Sequence, residues 1–251
     1  VVAVGVLSVA TYLRNSLWAD QAGLWEDAAR KSPNRPRPHN NLGNIYQARN
    51  MYDKAIEQYM IALSLDPDHP EAHNNLGVSY KSLKMFDKAI EQYMIALKLK
   101  PDYADAHNNL GVIYLALNMP DKAMNELQTG VNLEPTDAKA HFYLGDAYLS
   151  LNMPDKAMEQ YLITVNLRPD YVEAYNNLGG IYQAFNMLDK AVDELQIVIK
   201  LKPDYAEAHF NLGALYYRMG QTDNARRELM SGLKIKPEDQ QAQQLLETVN
   251  R

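Results

Sequence analysis

Between Ala72 and Leu83 the apolar residues return at three- and four-residue steps: Ala72, Leu76, Tyr80, Leu83. This spacing predicts an amphipathic helix over residues 71–83 with one buried stripe. A second stripe, Ala89, Tyr93, Ala96 and Leu97, predicts a second helix opening at Asp87. Lys84 stands between the two. The same place elsewhere holds Asn50, Asn118, Asn152, Asn186 and Gly220. Asn and Gly tolerate the left-handed backbone that ends a helix, so a turn is expected at each. Asp53, Asp87, Asp121, Asp155, Asp189 and Asp223 are expected to cap free amides of the second helices and to suit their positive ends. Pro101 stops the second helix, and Asp102 opens the next turn.

The two-helix pattern recurs along most of the chain. Gly43, Gly77, Gly111, Gly145, Gly179 and Gly213 fall in register, each after a leucine and three places before a tyrosine. Pro33, Pro67, Pro101, Pro135, Pro169, Pro203 and Pro237 keep the same step. A period of about 34 residues with two helices per period predicts an all-α solenoid.

The unit resembles the tetratricopeptide repeat (TPR). Leu76, Gly77, Tyr80, Ala89, Tyr93, Ala96 and Pro101 occupy the positions of that family's motif. The resemblance implies a right-handed superhelix of six repeats: residues 36–69, 70–103, 104–137, 138–171, 172–205 and 206–239. His39, His73, His107, His141, Tyr175 and His209 replace the motif's early Trp, and Gly130, Thr164, Val198 and Gly232 replace its late Ala. Residues 240–251 read as a C-terminal capping helix with a polar outer side.

Residues 1–35 read as a leading apolar helix plus a degenerate half-repeat, in which Trp25, Ala28 and Pro33 take second-helix positions. The apolar stretch VVAVGVLSVATYL is too short to span a bilayer, which takes about 20 residues. It fits a solenoid cap or the end of a longer membrane helix, and it lacks the basic start and cleavage site of a signal peptide. The start at Val1 rather than Met is expected of a processed chain or a fragment. The run from Thr11 to Gly43 resembles the junction between a membrane glycosyltransferase of the protein O-mannosyltransferase type and its TPR tail. That resemblance implies an extracytoplasmic, membrane-anchored or extracellular location in preference to the cytoplasm, and a substrate-recruiting role.

The net charge of −6 argues against a nucleic-acid or anionic-membrane surface. With no cysteine there is no disulfide and no thiolate metal site. The chain has no Asn-x-Ser/Thr sequon, phosphate loop, HExxH or nucleophile motif, and no carboxylate pair stands out as an acid/base couple. Catalysis is not expected, and neither is a cofactor. Five of the six histidines share one repeat position. Equivalent helices are roughly 10 Å apart, and metal ligands lie about 2 Å from their ion, so packing is expected of them rather than a metal site. Met51, Met85, Met119, Met153 and Met187 read either as residues folded back on their own helices or as an adaptable apolar edge.

Asparagine carries the binding expectation. Asn41, Asn75, Asn109, Asn177 and Asn211 each precede a Leu-Gly pair, and Asn40, Asn74, Asn108 and Asn176 stand one residue earlier. Asn is a poor residue for a helix interior, so the repetition suggests a use. Inheritance from recent duplication is the competing reading, because AIEQYMIAL and LNMPDKAM each occur twice. The pattern resembles the inner asparagine ladder of O-GlcNAc transferase repeats. It implies a concave groove whose amides bind the backbone of an extended peptide or protein segment. Phe142, Tyr143, Phe210 and Tyr217 interrupt the ladder as candidate aromatic anchors. The chaperone-tail clamp of some TPR proteins is excluded: Asn44 and Asn75 match two of its positions, but Asn40, Asp105 and Asn109 stand where it needs Lys, Lys and Arg. A structural subunit that polymerises end to end through its apolar N-terminal segment is the third functional expectation.

Overall fold

The computed structural model of the chain describes residues 21–250. The expectations for residues 1–13, whether membrane helix, cap or polymerising segment, lie outside the described residues. The described chain is all-α, with fourteen helices and no strand. It divides into two compact units that meet between Glu134 and Pro135.

The first unit holds α1 (Gln21–Lys31), α2 (Pro36–Ala48), α3 (Tyr52–Leu65), α4 (Pro70–Ser82), α5 (Phe86–Leu99), α6 (Ala104–Ala116) and α7 (Pro120–Leu133). The second holds α8 (Ala138–Ser150), α9 (Pro154–Leu167), α10 (Val172–Ala184), α11 (Leu188–Leu201), α12 (Ala206–Arg218), α13 (Thr222–Ile235) and α14 (Gln240–Val249). Within each unit the helices pack as hairpins, α2 on α3 through α12 on α13, and successive hairpins stack. Helix α1 packs on α2, and α14 packs on α13 and α12.

Each hairpin turn has the same chemistry. Asn50, Lys84, Asn118, Asn152, Asn186 and Gly220 all have positive φ, from 55° to 74°. At the first turn the Asn50 amide donates to the Gln47 carbonyl and the Met51 amide to the Tyr46 carbonyl, at 2.9 and 2.8 Å. This pair of bonds satisfies carbonyls that the helix end would leave open. The left-handed conformation costs an L-residue with a Cβ about 1–2 kcal/mol. Lys84, at φ 59°, bears that cost without the local polar side chain of Asn. Lys84→Gly is therefore expected to raise stability by about 1 kcal/mol. An unchanged or lower midpoint in urea would contradict this.

The aspartates differ from expectation. The second helices begin at Tyr52, Phe86, Pro120, Pro154, Leu188 and Thr222, and no side chain caps them. Asp53 and its equivalents sit inside the first turn, two residues past the cap position, where their charge suits the helix dipole, and Asp223 also accepts from Arg226 at 3.0 Å. Side-chain caps occur instead on helices that open a hairpin or close the chain, where His69, Asp137 and Asp239 accept from Ala72, Lys139 and Ala242 amides.

Each hairpin closes around a small residue and a large one. Ala55, Ala89, Ala123, Ala157, Ala191 and Ala225 are fully buried. Gly43, Gly77 and Gly145 on the first helices lie against the rings of Tyr59, Tyr93 and Tyr161, and Gly111 and Gly213 against Leu127 and Leu229. The three tyrosines are also fully buried, so their hydroxyls need partners. Tyr59 donates to Asn44 Oδ1 at 2.7 Å, and Tyr161 to Asp146 Oδ1 at 2.6 Å. Val78 occupies the equivalent position facing Tyr93, and the Tyr93 hydroxyl is buried with no partner. Burial pushes its pKa far up. Removing a buried, unsatisfied hydroxyl relieves about 1–3 kcal/mol of desolvation cost. Tyr93→Phe should therefore melt higher than the parent, whereas Tyr59→Phe, which loses a bond, should melt lower. Equal shifts for the two variants would refute the assignment.

Candidate functional site

The first helices of the hairpins carry two adjoining columns of side chains, and the structure treats them differently. Asn40, Asn74, Asn108, Phe142, Asn176 and Phe210 are buried or half-buried. Asn108, Phe142 and Phe210 pack back onto the second helix of their own hairpin. A Cβ on Gly130 would lie 1.8 Å from Asn108 Oδ1, and one on Gly232 would lie 2.4 Å from Phe210 Cε1. Glycine at those late positions therefore makes room for the larger residue opposite. Phe142 stacks on Tyr171 with ring centroids 4.8 Å apart.

Asn41, Asn75, Asn109, Tyr143 and Asn177 are half-buried and Asn211 is exposed, and together they form the slightly more open column. Three of them reach back to the preceding first helix. Asn75 Nδ2 donates to Asn44 Oδ1 at 3.1 Å, Asn109 Nδ2 to Asn74 Oδ1 at 3.3 Å, and Asn177 Nδ2 to Asp146 Oδ1 at 3.3 Å. Lys81 Nζ donates to Asn109 Oδ1 at 2.7 Å. Asn41 and Asn211 make no side-chain hydrogen bond among the described residues. Tyr217 lies apart from the column, exposed at the end of α12.

Along the second unit the open column borders a cleft of about 350 Å³, lined by Asn177, Gly180, Ile181, Gln183, Ala184 and Asn211 among others. The cleft exists where α10 lacks a side chain. The position equivalent to Gly180 holds Asn44, Val78, Val112, Asp146 and Ala214 in the other hairpins. A Cβ on Gly180 would meet nothing within 4 Å. The signal for this was present in the sequence as the doubled glycine after Leu178, but it is visible only by comparing repeats.

Asp146, on α8 beside the cleft, is the one carboxylate at that position. Its Oδ1 accepts from both the Tyr161 hydroxyl and Asn177 Nδ2. Burial pushes its pKa up, and the Tyr161 bond offsets this in part.

The histidines form clamps. In His39, His73, His107, His141 and His209, Nε2 donates to the carbonyl of the proline six residues earlier at 3.0–3.3 Å. Nδ1 meets residue 58, 92, 126, 160 or 228 on the second helix at 2.7–2.8 Å. Among the described residues no group of His, Asp and Glu is placed to hold a metal ion. The Nδ1 partner is an amide in three clamps, Gln58, Gln92 and Gln160, and a carboxylate in two, Glu126 and Glu228. At His107 both ring nitrogens face acceptors. The Glu126 hydrogen bond, chiefly, raises its pKa, against the opposing effect of burial. A raised pKa in the folded state gives stability that is complete below the unfolded value of about 6.5. That stability is lost as pH rises through the folded value. Glu126→Gln should therefore flatten the fall in melting temperature between about pH 6 and 8. A parallel fall in both proteins would remove the His107 clamp from the explanation.

Among the described residues no helix is long and apolar enough to cross a membrane. No curated protein sequence matches the chain significantly. Among solved structures, the chain is similar to the APC/C hetero-tetramer Cut9–Hcn1, with a TM-score of 0.71 and 21% identity over 94% of this chain. It spans 46% of the length of that chain. It is similar to YrrB, described as a TPR protein with an unusual peptide-binding site, with a TM-score of 0.62 and 26% identity over 74% of this chain and 96% of that one. It is also similar to PilF of Pseudomonas aeruginosa, with a TM-score of 0.75 and 19% identity over 84% of this chain and 96% of that one. One family model, TPR repeat, matches residues 43–84, 79–118 and 186–220. A second, tetratricopeptide repeat, matches residues 104–137 and 206–239. The two models together span more than half of the chain, the helical hairpins follow the same repeat, and the chain belongs to the tetratricopeptide-repeat family.

Proposed function

We propose that this chain is a non-catalytic TPR scaffold that binds an extended peptide or protein segment along the open asparagine column of its first helices. The observation that carries this reading is the cleft floored by Gly180 between Asn177 and Asn211. A primary amide both donates and accepts, as a peptide unit does, so a row of amides suits a ligand backbone whatever its sequence. First helices about 10 Å apart, against an extended chain rising about 3.3 Å per residue, offer one amide for roughly every third ligand residue. YrrB, with its peptide-binding site, lends support as a relative of similar fold.

Asn211 offers a clean test because its side chain makes no hydrogen bond among the described residues. Asn211→Ala should leave melting unchanged and weaken binding of end-capped peptides selected from a random library. N-methylation along the best peptide should weaken binding at amides spaced by about one hairpin repeat. Unchanged affinity in both experiments would remove the asparagine column from the binding account.

A further inference from the structure

We propose, building on the peptide-binding reading, that the segment held by the second unit carries a lysine or arginine whose charged head sits against Asp146. The repeats supply an internal control. Asn44 and Asp146 occupy the same position of their hairpins. Asn44 Oδ1 accepts from Tyr59 and from Asn75 at 2.7 and 3.1 Å. Asp146 Oδ1 accepts from Tyr161 and from Asn177 at 2.6 and 3.3 Å. The bonds to position 44 and position 146 correspond, but Tyr59 also donates to Gln47 Oε1 at 3.0 Å, where the second unit has Leu149. A neutral amide at this position thus accepts the same two bonds, from the buried tyrosine and from the next asparagine. Neither bond requires a charge at position 146.

That charge is costly where it stands. A half-buried carboxylate loses hydration and needs a cation or several donors in return. Both donors fall on Oδ1, and Oδ2 has no hydrogen-bond or ion-pair partner among the described residues. Two cations of the same unit lie over aromatic rings. Lys139 Nζ lies 5.9 Å from the Tyr143 ring centroid and the Arg168 guanidinium 4.6 Å from that of Tyr171. The Asp146 pKa is raised by burial and lowered in part by the Tyr161 bond. Asn177, which donates to Asp146, also lines the cleft, so the carboxylate borders the face on which the peptide is placed. A single free carboxylate oxygen offers too few ligands for a divalent ion, which takes six or more oxygens. It matches the single charged head of a basic side chain, whose apolar stem can lie along the cleft wall.

The probe is a library of short, end-capped peptides scanned with lysine, arginine, norleucine and glutamate at each position. Wild-type protein should select lysine or arginine at one position and bind the norleucine peptide about tenfold more weakly. Asp146→Asn should melt no lower than wild type, because an amide accepts the same two bonds as at Asn44 and burying it costs less than burying a charge. It should lose the preference and bind the lysine and norleucine peptides alike. Peptides that bind with no basic preference, or a preference that survives Asp146→Asn, would overturn the assignment while leaving the asparagine column intact. A protein that binds no library peptide would overturn both readings. The lysine–norleucine comparison needs only the wild-type chain, so the outcome does not depend on how the variant folds.

Discussion

Gly145→Ala is expected to destabilise the protein by about 2 kcal/mol. On propensity alone the sign should be opposite, since alanine in a helix interior is worth about 1 kcal/mol more than glycine. Packing reverses it. The new Cβ would lie 2.6 Å from Tyr161 Cε1 and 2.9 Å from both Cδ1 and Cζ. The ring is flat, fully buried and tied by its hydroxyl to Asp146. It cannot yield at its end as a flexible chain would, so relief of the clash strains the core or lengthens the Tyr161–Asp146 bond. Each of these costs about 1–3 kcal/mol. Gly180→Ala, on the adjacent first helix, is the matched control. Its Cβ meets nothing within 4 Å, and the expected result is a gain of about 1 kcal/mol. Urea unfolding of the two variants should move the midpoint in opposite directions. Shifts of the same sign would contradict the packing.

The second large effect is expected on binding. Gly180→Val should weaken any peptide held on the open column by about tenfold or more, without lowering the melting temperature. Valine is compatible with the fold, since Val78 and Val112 stand at the equivalent positions of α4 and α6. At α10 its two methyl groups would fill the floor of the cleft between Asn177 and Asn211. A variant as stable as wild type that no longer binds separates loss of the site from loss of the fold. Wild-type affinity in Gly180→Val would place the ligand elsewhere.

The repeat, the helix pairs and the left-handed turns were legible because each rests on local chemistry repeated six times. Leu-Gly pairs, helix-stopping prolines and the Asn/Gly turn residues carry their meaning within a few residues of sequence. The capping role expected of Asp53 and its equivalents failed because the cap falls two residues earlier, at Met51 and its equivalents, a shift that periodicity does not resolve. The two asparagine columns looked alike in sequence because they are adjacent. They separate only when the hairpin closes, where Asn108 fills the space over Gly130 while Asn109 turns to the preceding helix. The histidine clamps were legible as packing positions but not as hydrogen-bonded ones, since each joins residues six and nineteen places apart across a turn. The lysines of the repeated Asp-Lys-Ala were not singled out either. Lys54, Lys88, Lys122, Lys156 and Lys190 lie 5.4–5.5 Å from the ring centroids of Tyr46, Tyr80, Tyr114, Tyr148 and Tyr182. Partner and lysine are eight residues apart in every case, a spacing with no meaning until the hairpin has formed.

The most direct measurement of peptide binding on the first helices is a methyl NMR titration. A library-selected, end-capped peptide would be added to protein labelled at isoleucine, alanine, leucine and methionine methyls. Ile181 and Ala184 line the cleft, whereas Leu162 and Met230 are exposed on second helices. The expected result is saturable shifts at Ile181 and Ala184 with Leu162 and Met230 unmoved. Shifts confined to Leu162 and Met230 would place the ligand on the second helices and contradict the proposed site.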